Sequence, residues 1–225
     1  NGHWGPEQRI DARTNTLFET RDEDARYNGD NPGGSLNLTW TPKEDHTGNL
    51  NLEYNIFNYN NATYSDVTAI TTRGANEQHF FSQAEDEWNA KIDGDYEFPV
   101  ADGNLKLIGY YRAEDSPTVS RFDVFEDTAG LIDSSRFFQD ADEGEAIART
   151  EYSWSASEGR DWQIGLEGVF NFLDVESKFV DILNPPLSNS FDNHTRVEEL
   201  RGEATLTHSR KLSEKWDLQA SLGAE

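Results

Sequence analysis

The chain has 225 residues, of which 35% are apolar and 28% are charged, and its formal net charge at pH 7 is −24. Phosphate binding needs a surface rich in lysine and arginine, so 43 acidic residues against 19 basic ones exclude nucleic acid as a partner. The absence of cysteine excludes disulfide bonds, cysteine-based metal centres and thiol redox chemistry. No run approaches the ~18 apolar residues that a membrane helix needs.

Apolar and polar residues alternate with a period of two along most of the chain, which predicts half-buried β-strands. In chain order, about nine strands are predicted, over residues 10–18, 36–40, 50–56, 88–98, 105–111, 146–155, 162–172, 200–208 and 216–222. The sorting is clearest in 162–172. One face there carries Trp162, Ile164, Leu166, Phe170 and Phe172. The other face carries Gln163, Glu167 and Asn171.

Short and long connections alternate between these strands. Short turns rich in Gly, Pro, Asn or Asp are predicted near residues 42–48, 99–104 and 157–161, with a Ser-Glu turn near 212–215. Long polar segments span 59–85, 113–145 and 174–198. Compact soluble domains mostly use short connections, whereas outer-membrane barrels combine short periplasmic turns with long extracellular loops. The sequence therefore predicts an all-β, antiparallel, up-and-down transmembrane β-barrel segment with long extracellular loops, and all four short turns at one end.

Aromatic residues cluster beside the short turns. They are Trp40, Tyr96, Phe98, Trp154, Trp162 and Trp216. Because an indole or phenol ring is apolar but still needs a polar partner, such residues favour the membrane–water interface. We expect one aromatic belt at a single membrane depth.

The polar faces of the predicted strands carry charges of both signs. The residues are Asn49, Asn51, Glu53, Lys91, Asp93, Asp95, Glu97, Arg149, Glu151, Arg201 and Glu203. Simple solvation is one explanation for such a face. We expect instead that the group lines a wet lumen or contacts a plug domain, with no role assigned to any single residue.

Signals for metal binding or catalysis are weak. Asp140, Asp142, Glu143 and Glu145 supply oxygen ligands at close spacing, but they do not match an EF-hand, and hydration is the simpler explanation. The five histidines, His3, His46, His79, His194 and His208, share no ligand spacing. No residue pattern selects a catalytic pair, a nucleophile or a phosphate-binding loop. We predict no catalytic residue and no cofactor, and therefore not an enzyme.

Two hairpins resemble those of a known family. Residues 38–42 (LTWTP) followed by 50–54 (LNLEY) resemble a periplasmic hairpin of TonB-dependent outer-membrane receptors, as do 201–208 (RGEATLTH) followed by 212–218 (LSEKWDL). The resemblance implies a barrel of about 22 strands around a plug, of which this chain is somewhat under half. It also implies import of a nutrient ligand and coupling to periplasmic TonB through the plug.

We therefore expect residues 1–225 to be part of a single barrel domain in a bacterial outer membrane, with the plug and the other strands outside this chain. The chain starts at Asn1 without a leader pattern, which favours a mature or excised fragment. Expected partners are outer-membrane lipid and lipopolysaccharide, TonB and an unidentified ligand. The alternatives are a passive porin or another outer-membrane barrel, and a secreted all-β glycan-binding module. The module predicts tryptophan in loops, whereas only Trp4 of the six tryptophans lies away from a predicted strand.

Overall fold

A computed structural model describes residues 2–70, 74–183 and 191–225, and every regular element in these ranges is a β-strand. The strands are β1 Gly2–Asp11, β2 Thr16–Asp30, β3 Gly33–Trp40, β4 Thr47–Ala69, β5 Glu77–Val100, β6 Gly103–Asp115, β7 Thr118–Glu126, β8 Gly130–Ser157, β9 Arg160–Asp181, β10 Phe191–Ser213 and β11 Trp216–Ala224. None of the described residues belongs to a helix with the length and hydropathy needed to cross a bilayer.

All eleven strands form one antiparallel sheet in the order β1-β2-β4-β5-β6-β8-β9-β10-β11, with β3 beside β4 and β7 between β5 and β8. β2 and β3 form one path interrupted near Pro32, and β6 and β7 form one path interrupted near Pro117. Proline has no N–H to donate to a ladder, but its carbonyl still accepts. Ile56 N–H donates to the Pro32 oxygen at 2.9 Å, and Asp86 N–H donates to the Pro117 oxygen at 3.1 Å. The sheet therefore continues past both breaks with nine strand positions across its width.

The register confirms the antiparallel up-and-down fold and the common end of the four short turns. The start of β6 lies beside the ends of β5 and β8, because Gly103 pairs with both Val100 and Trp154. The start of β9 likewise lies beside the ends of β8 and β10, since Trp162 pairs with Trp154 and His208. The β3–β4 turn lies at the same end, where Gly48 pairs with Trp40 and with Tyr96.

The predicted strand over residues 10–18 is wrong, because the chain reverses direction at residues 12–15 between β1 and β2. The Asp11 carboxylate accepts hydrogen bonds from the backbone N–H groups of Arg13 at 2.8 Å and Thr14 at 3.1 Å. Asn15 then adopts φ 52°, in the left-handed region that asparagine tolerates. Local turn chemistry here overrides the alternation of side chains. The hydrogen bonds from Arg13 and Thr14 also lower the pKa of the Asp11 carboxyl.

The three long polar segments are mostly strand, which corrects their assignment as irregular connections. β4 continues to Ala69 and β5 begins at Glu77, while residues 113–145 contain the whole of β7 and much of β8. The third segment holds the end of β9 and the start of β10, and its residues 184–190 lie outside the described ranges. The long outer connections are therefore largely paired hairpin arms that extend the sheet.

The turns drift along the sheet, which reveals the tilt of the strands. The turn after Val100 begins four residues beyond the row that contains Trp40 and Tyr96. The turn after Ser157 begins three residues further, and the turn after Ser213 three further again. This drift over six strands is about 1.7 residues per strand, or roughly 5.5 Å for each ~4.8 Å step between strands. If the turns lie at one level, the strands tilt by about 45°, as in outer-membrane barrels.

Aromatic rings stack along the turn end of the sheet, and they form the predicted aromatic belt. Ring centroids are 6.3 Å apart for Trp40 and Tyr96, and 5.3 Å apart for Tyr96 and Phe98. Across the next turn, Trp154 and Trp162 are stacked at 6.4 Å, and Trp162 lies 4.1 Å from the ring of His208. The belt follows the drift of the turns, which keeps it at one level in a tilted sheet.

The two faces of the sheet have the opposite polarity to those of a water-soluble protein. On β9 the apolar side chains of Ile164 and Leu166 are 42% and 55% exposed, whereas the Glu167 side chain on the other face is only 27% exposed and Val169 is 3% exposed. Within the described ranges the buried apolar residues are few and small: Ala25, Val67, Val124, Ala141 and Val169. We call the exposed apolar side the outer face and the enclosed polar side the inner face.

The apolar part of the outer face has the height of a bilayer core. On β9 it runs from Trp162 in the belt to Phe172, and Asp174 follows it on the same face. Ten steps of ~3.3 Å along a strand tilted by ~45° give a height of about 23 Å. The apolar band of outer-membrane barrels is ~25 Å tall. We call this zone the apolar band.

Replacing Leu166 by Arg, near the middle of the apolar band, should destabilise the intact protein in lipid bilayers by about 2–4 kcal/mol. Ile164 lies two residues nearer the belt. Ile164→Arg should therefore reduce the free energy of unfolding by less, because the arginine reaches the interface. The free energy of unfolding in urea measures both effects.

The control for this series is Gln163→Arg, which points to the inner face beside Glu151, where the Gln163 amide now donates at 3.0 Å. It should be tolerated. Equal costs at positions 163 and 166 would contradict a lipid-facing outer surface.

Candidate functional site

The inner face is the candidate functional surface, and the register places every predicted lumen residue on it. Cross-strand pairs lie on the same face of a sheet. Asn49 pairs with Asp95, Asn51 with Asp93 and Glu53 with Lys91. The remaining members follow by the same register: Glu97, Arg149, Glu151, Arg201 and Glu203. Their common face is confirmed, and their contact with a plug stays a prediction.

Level with the apolar band, the inner face is a network of neighbouring polar groups. Asn49 Nδ2 donates to both carboxylate oxygens of Asp95, at 3.0 and 3.2 Å. Lys106 Nζ lies 3.5 Å from the same carboxylate. Arg149 bridges Glu151 at 2.6 Å and Glu167 at 3.7 Å. We call this zone the lower wall. Lys106 and Arg149 are paired with carboxylates there, and acidic side chains outnumber basic ones along it.

Above the apolar band the inner face changes character, and we call this zone the upper wall. Three phenylalanines from β8, β9 and β10 meet there: the ring of Phe191 lies 6.0 Å from that of Phe179 and 6.5 Å from that of Phe137. Phe57 and Tyr59 on β4 have parallel rings 6.3 Å apart. Rings facing a polar space give flat apolar surfaces on which a ligand can stack.

The charged groups of the upper wall are carboxylates. Between β4 and β9 the described ones are Glu77, Glu85, Glu87, Glu114, Glu126, Asp133, Glu143 and Asp181, and His79 and Tyr59 are also titratable. The basic residues Arg9 and Arg21 lie further out on β1 and β2, where both contact Glu19. Aromatic rings among carboxylates favour a neutral or cationic ligand with an apolar surface. The carboxylates repel polyanions.

Crowding of these carboxylates affects Glu87. Burial raises the pKa of the Glu87 carboxyl, and repulsion from Glu114, Glu85 and Glu143 raises it further against the opposing effect of Arg112. Glu114 is better compensated, because Asn89 Nδ2 donates to it at 2.7 Å and Arg112 pairs with it. Glu87 is therefore the poorly compensated acid at the boundary between the two walls.

The four acids considered as a cation site are separated by the sheet. Asp140 and Asp142 point to the outer face of β8. Glu143 and Glu145 lie on the inner face, where they pair with Glu114 and Arg112 respectively. In the described ranges, no group of three or more histidine, cysteine or acidic side chains has an arrangement that holds a metal ion. The described histidine side chains lie apart, beside Tyr96, Glu77, Asp174 and Trp162 respectively.

Sequence reasoning missed the upper wall, because it treated residues 59–85 and 113–145 as connections. A signal was present: Phe122 and Val124 alternate with charged residues on β7, and Phe137 does so on β8. These runs are short, and polar residues occupy both faces beside them, so the period of two is weak above the apolar band.

Comparisons with known proteins give structural similarity without sequence similarity. No protein-family model matches the chain, and no curated protein matches it. Part of the ferric yersiniabactin uptake receptor FyuA from Yersinia pestis is similar in structure, with a TM-score of 0.42 and 9% identity over 97% of this chain and 40% of that one. The ferric citrate transporter FecA in its unliganded form has a TM-score of 0.34 and 12% identity over 99% of this chain and 40% of FecA. The chain thus spans about 40% of the length of each.

Replacing Glu87 by Gln should raise the Tm of the intact protein at pH 7. A carboxyl whose pKa is raised in the folded state destabilises the fold once the pH exceeds the unfolded value of ~4.3, and this penalty is absent below it. The gain should therefore vanish near pH 4.

The matched control is Asp66→Asn on the exposed outer face of β4. It should leave the Tm unchanged at both pH values. A gain from Glu87→Gln that is the same at pH 4 and pH 7 would contradict the crowding of carboxylates on the upper wall.

Proposed function

We propose that this chain forms part of the wall of a bacterial outer-membrane transport barrel, and that the parent protein is a TonB-dependent receptor that imports a nutrient ligand through a plugged lumen. The observation that carries the proposal is the inverted polarity of the sheet. Apolar side chains are exposed over a zone about 23 Å tall, while carboxylates on the opposite face, such as that of Glu151 at 20% exposure, are largely enclosed. Lipid is the solvent that makes such an outer face favourable.

The belt and the turns support an orientation in the membrane. In outer-membrane barrels the short turns are periplasmic and the long connections extracellular. We therefore place the belt at the periplasmic interface and the hairpin arms of β4–β5 and β7–β8 outside the cell. The upper wall then faces the medium from which a ligand is captured, and the lower wall lies along the path into the periplasm.

The sheet needs further strands to be stable in lipid. β1 and β11 are its edges within the described ranges, and each pairs on one side only. An unpaired backbone N–H or C=O group costs several kcal/mol in hydrocarbon. We infer that strands from elsewhere in the parent chain pair with both edges and close a larger barrel.

A receptor barrel of about 22 strands needs a plug. Nine strand positions already exceed what a small filled barrel contains, and barrels wider than 16 to 18 strands enclose a plugged lumen. We propose a plug domain on the order of 100 to 150 residues in the parent chain, in contact with the polar groups of the lower wall. Through this plug TonB would act on the barrel, and the upper wall would bind the ligand above it.

Single-cysteine variants test the plug directly, because the chain has no cysteine of its own. Ser120→Cys lies on the upper wall and Ser153→Cys near the turn end of the lower wall. A hydrophilic maleimide too large for general porins should label position 120 in intact cells. It should reach position 153 only after the outer membrane is broken.

Labelling of both positions in intact cells would show an open lumen and favour a passive porin. Thr68→Cys, on the outer face of the β4 arm, is the control for surface accessibility and should be labelled in every preparation.

Energised transport is tested by uptake. Growth on scarce nutrients that depends on the parent protein should stop when TonB is removed or the proton gradient is collapsed. Continued uptake of small solutes without either would contradict the receptor and retain the barrel. Recovery of the protein in a soluble secreted fraction would contradict both.

A further inference from the structure

Above the apolar band, the outer face carries an arginine-lined cleft. Arg26, Arg121 and Arg136 belong to one row across the sheet, because Arg26 pairs with Ala62, Ala62 with Ser82, Ser82 with Arg121 and Arg121 with Arg136. The small side chains of Ala62 and Ser82 form the floor between the arginines. The cleft has a volume of about 510 Å³, and its lining contains no carboxylate among the described residues.

This composition is unusual for a chain with 43 acidic residues and 19 basic ones. Asn28 and Asn60 add amide groups to the rim beside the three arginines. Lys178 adds a fourth cation in the neighbouring row, where it pairs with Phe138. Acidic residues return one row further down, where Asp140 pairs with Glu176. On β2, β4, β5, β7 and β8, positive charge on the outer face is therefore confined to the level of the cleft.

Two of the guanidinium groups are held in place by one buried carboxylate. Asp123 is 1% exposed, and it accepts from Arg121 Nε at 2.5 Å, Arg136 Nη1 at 3.0 Å and the Ser134 hydroxyl at 2.8 Å. Burial alone would raise the pKa of Asp123, but the hydrogen bonds from Arg121, Ser134 and Arg136 outweigh it and lower the pKa. Arg121 also lies over the ring of Phe80, 5.1 Å from its centroid. A pre-organised pair of arginines loses little entropy when it binds an anion.

The contacts leave guanidinium donors that do not bond to Asp123. All hydrogen bonds of Arg136 within the described chain use its Nη1 atom. Among the described residues, Arg26 is paired only with the exposed Asp24, at 2.7 Å, and is itself largely exposed. Guanidinium groups present a planar fork that matches the oxygens of a phosphate monoester. The cleft thus offers forked donors on both sides of a floor about 14 Å wide, estimated from three strand spacings.

The height of the cleft selects the kind of phosphate. On β8, Arg136 lies eight residues beyond Gly144, where the apolar band ends, which places it roughly 19 Å above the band in a strand tilted by ~45°. The Arg26 end of the cleft is lower, because Ala62 lies 14 residues beyond Gly48 in the belt, which is four residues or roughly 9 Å above a band of ten steps. Ordinary lipid headgroups extend only about 5–8 Å from the hydrocarbon. A membrane anion that reaches Arg121 and Arg136 must therefore sit on a long saccharide headgroup.

We propose that this cleft binds a phosphate group on the saccharide of an outer-leaflet glycolipid. Arg26, Arg121 and Arg136 supply the donors, and Asp123 is a positioning residue that holds two of them. The glycolipid would anchor the outer hairpin arms against the membrane surface. The inference rests on the proposed outer-membrane placement, but different experiments test the two proposals. Uptake assays and fractionation test the placement, whereas binding affinity in detergent tests the cleft.

The experiment measures the affinity of the intact, detergent-extracted parent protein for three probes: phosphorylated lipopolysaccharide, the same glycolipid after chemical removal of its phosphates, and inorganic phosphate. Arg26→Gln removes the exposed donor. The double variant Arg121→Gln with Asp123→Asn removes one cation together with the buried carboxylate, so that no unpaired buried charge remains. Arg21→Gln, on the inner face of β2, is the matched control.

Phosphorylated lipopolysaccharide should bind roughly threefold more weakly to Arg26→Gln and roughly tenfold more weakly to the double variant, with no change in Arg21→Gln. Removal of the phosphates should weaken binding to the unaltered protein by a similar factor. Equal binding of the two glycolipids, or of all variants, would overturn the proposal. Inorganic phosphate binding as tightly as the glycolipid, with the same dependence on Arg26, would overturn the glycolipid as the source of the anion.

Discussion

The backbone hydrogen-bond ladder between antiparallel strands is the interaction on which the rest of this structure depends. A single-layer sheet with few and small buried apolar residues has no packed core to fix it. β4 and β5 pair without interruption from Thr47 and Glu97 to Val67 and Glu77, and β8 and β9 pair over a similar length. In a medium that cannot bond to the backbone, breaking any part of such a ladder costs several kcal/mol per group. The ladder therefore fixes the register, and the register fixes which side chains face lipid.

The register also divides the molecule into zones with different tasks. Along β5, Asp95 belongs to the lower wall, Glu87 lies at the boundary between the two walls and Phe81 lies on the upper wall. On the opposite face of the same strand, Tyr96 joins the belt, Ile92 faces the apolar band and Ser82 forms the floor of the arginine cleft. Side chains of this one strand thus contact lipid, the lumen and the outer surface above the membrane, because they alternate between faces and because the strand is long.

Much of the sheet follows from the sequence, and the exceptions have physical causes. Inside the apolar band, lipid on one side and polar groups on the other force a strict alternation, so 162–172 and 88–98 are predicted strands that the structure contains. Outside the band both faces meet water, and the alternation weakens, so β7 and the upper parts of β4 and β8 are missed. The Asp11 carboxylate accepts hydrogen bonds from the backbone N–H groups of the two residues after Ala12, and the chain reverses direction there inside an apparent strand. Likewise, the lumen residues from Asn49 to Glu203 are predicted because they lie level with the band, whereas Phe137, Phe179 and the Arg121–Asp123–Arg136 cluster depend on pairing between distant segments.

The central claim is that the outer face of the sheet contacts lipid while the inner face contacts water. A nitroxide scan of β9 from position 162 to 172 in the intact, membrane-embedded protein tests it most directly, since each single cysteine introduced for labelling is the only one in this chain. The account predicts that collisions with oxygen dominate at 164, 166, 168 and 170, and that collisions with a water-soluble nickel complex dominate at 163, 165, 167 and 171. A scan with no period of two, or with the two sets reversed, would contradict it.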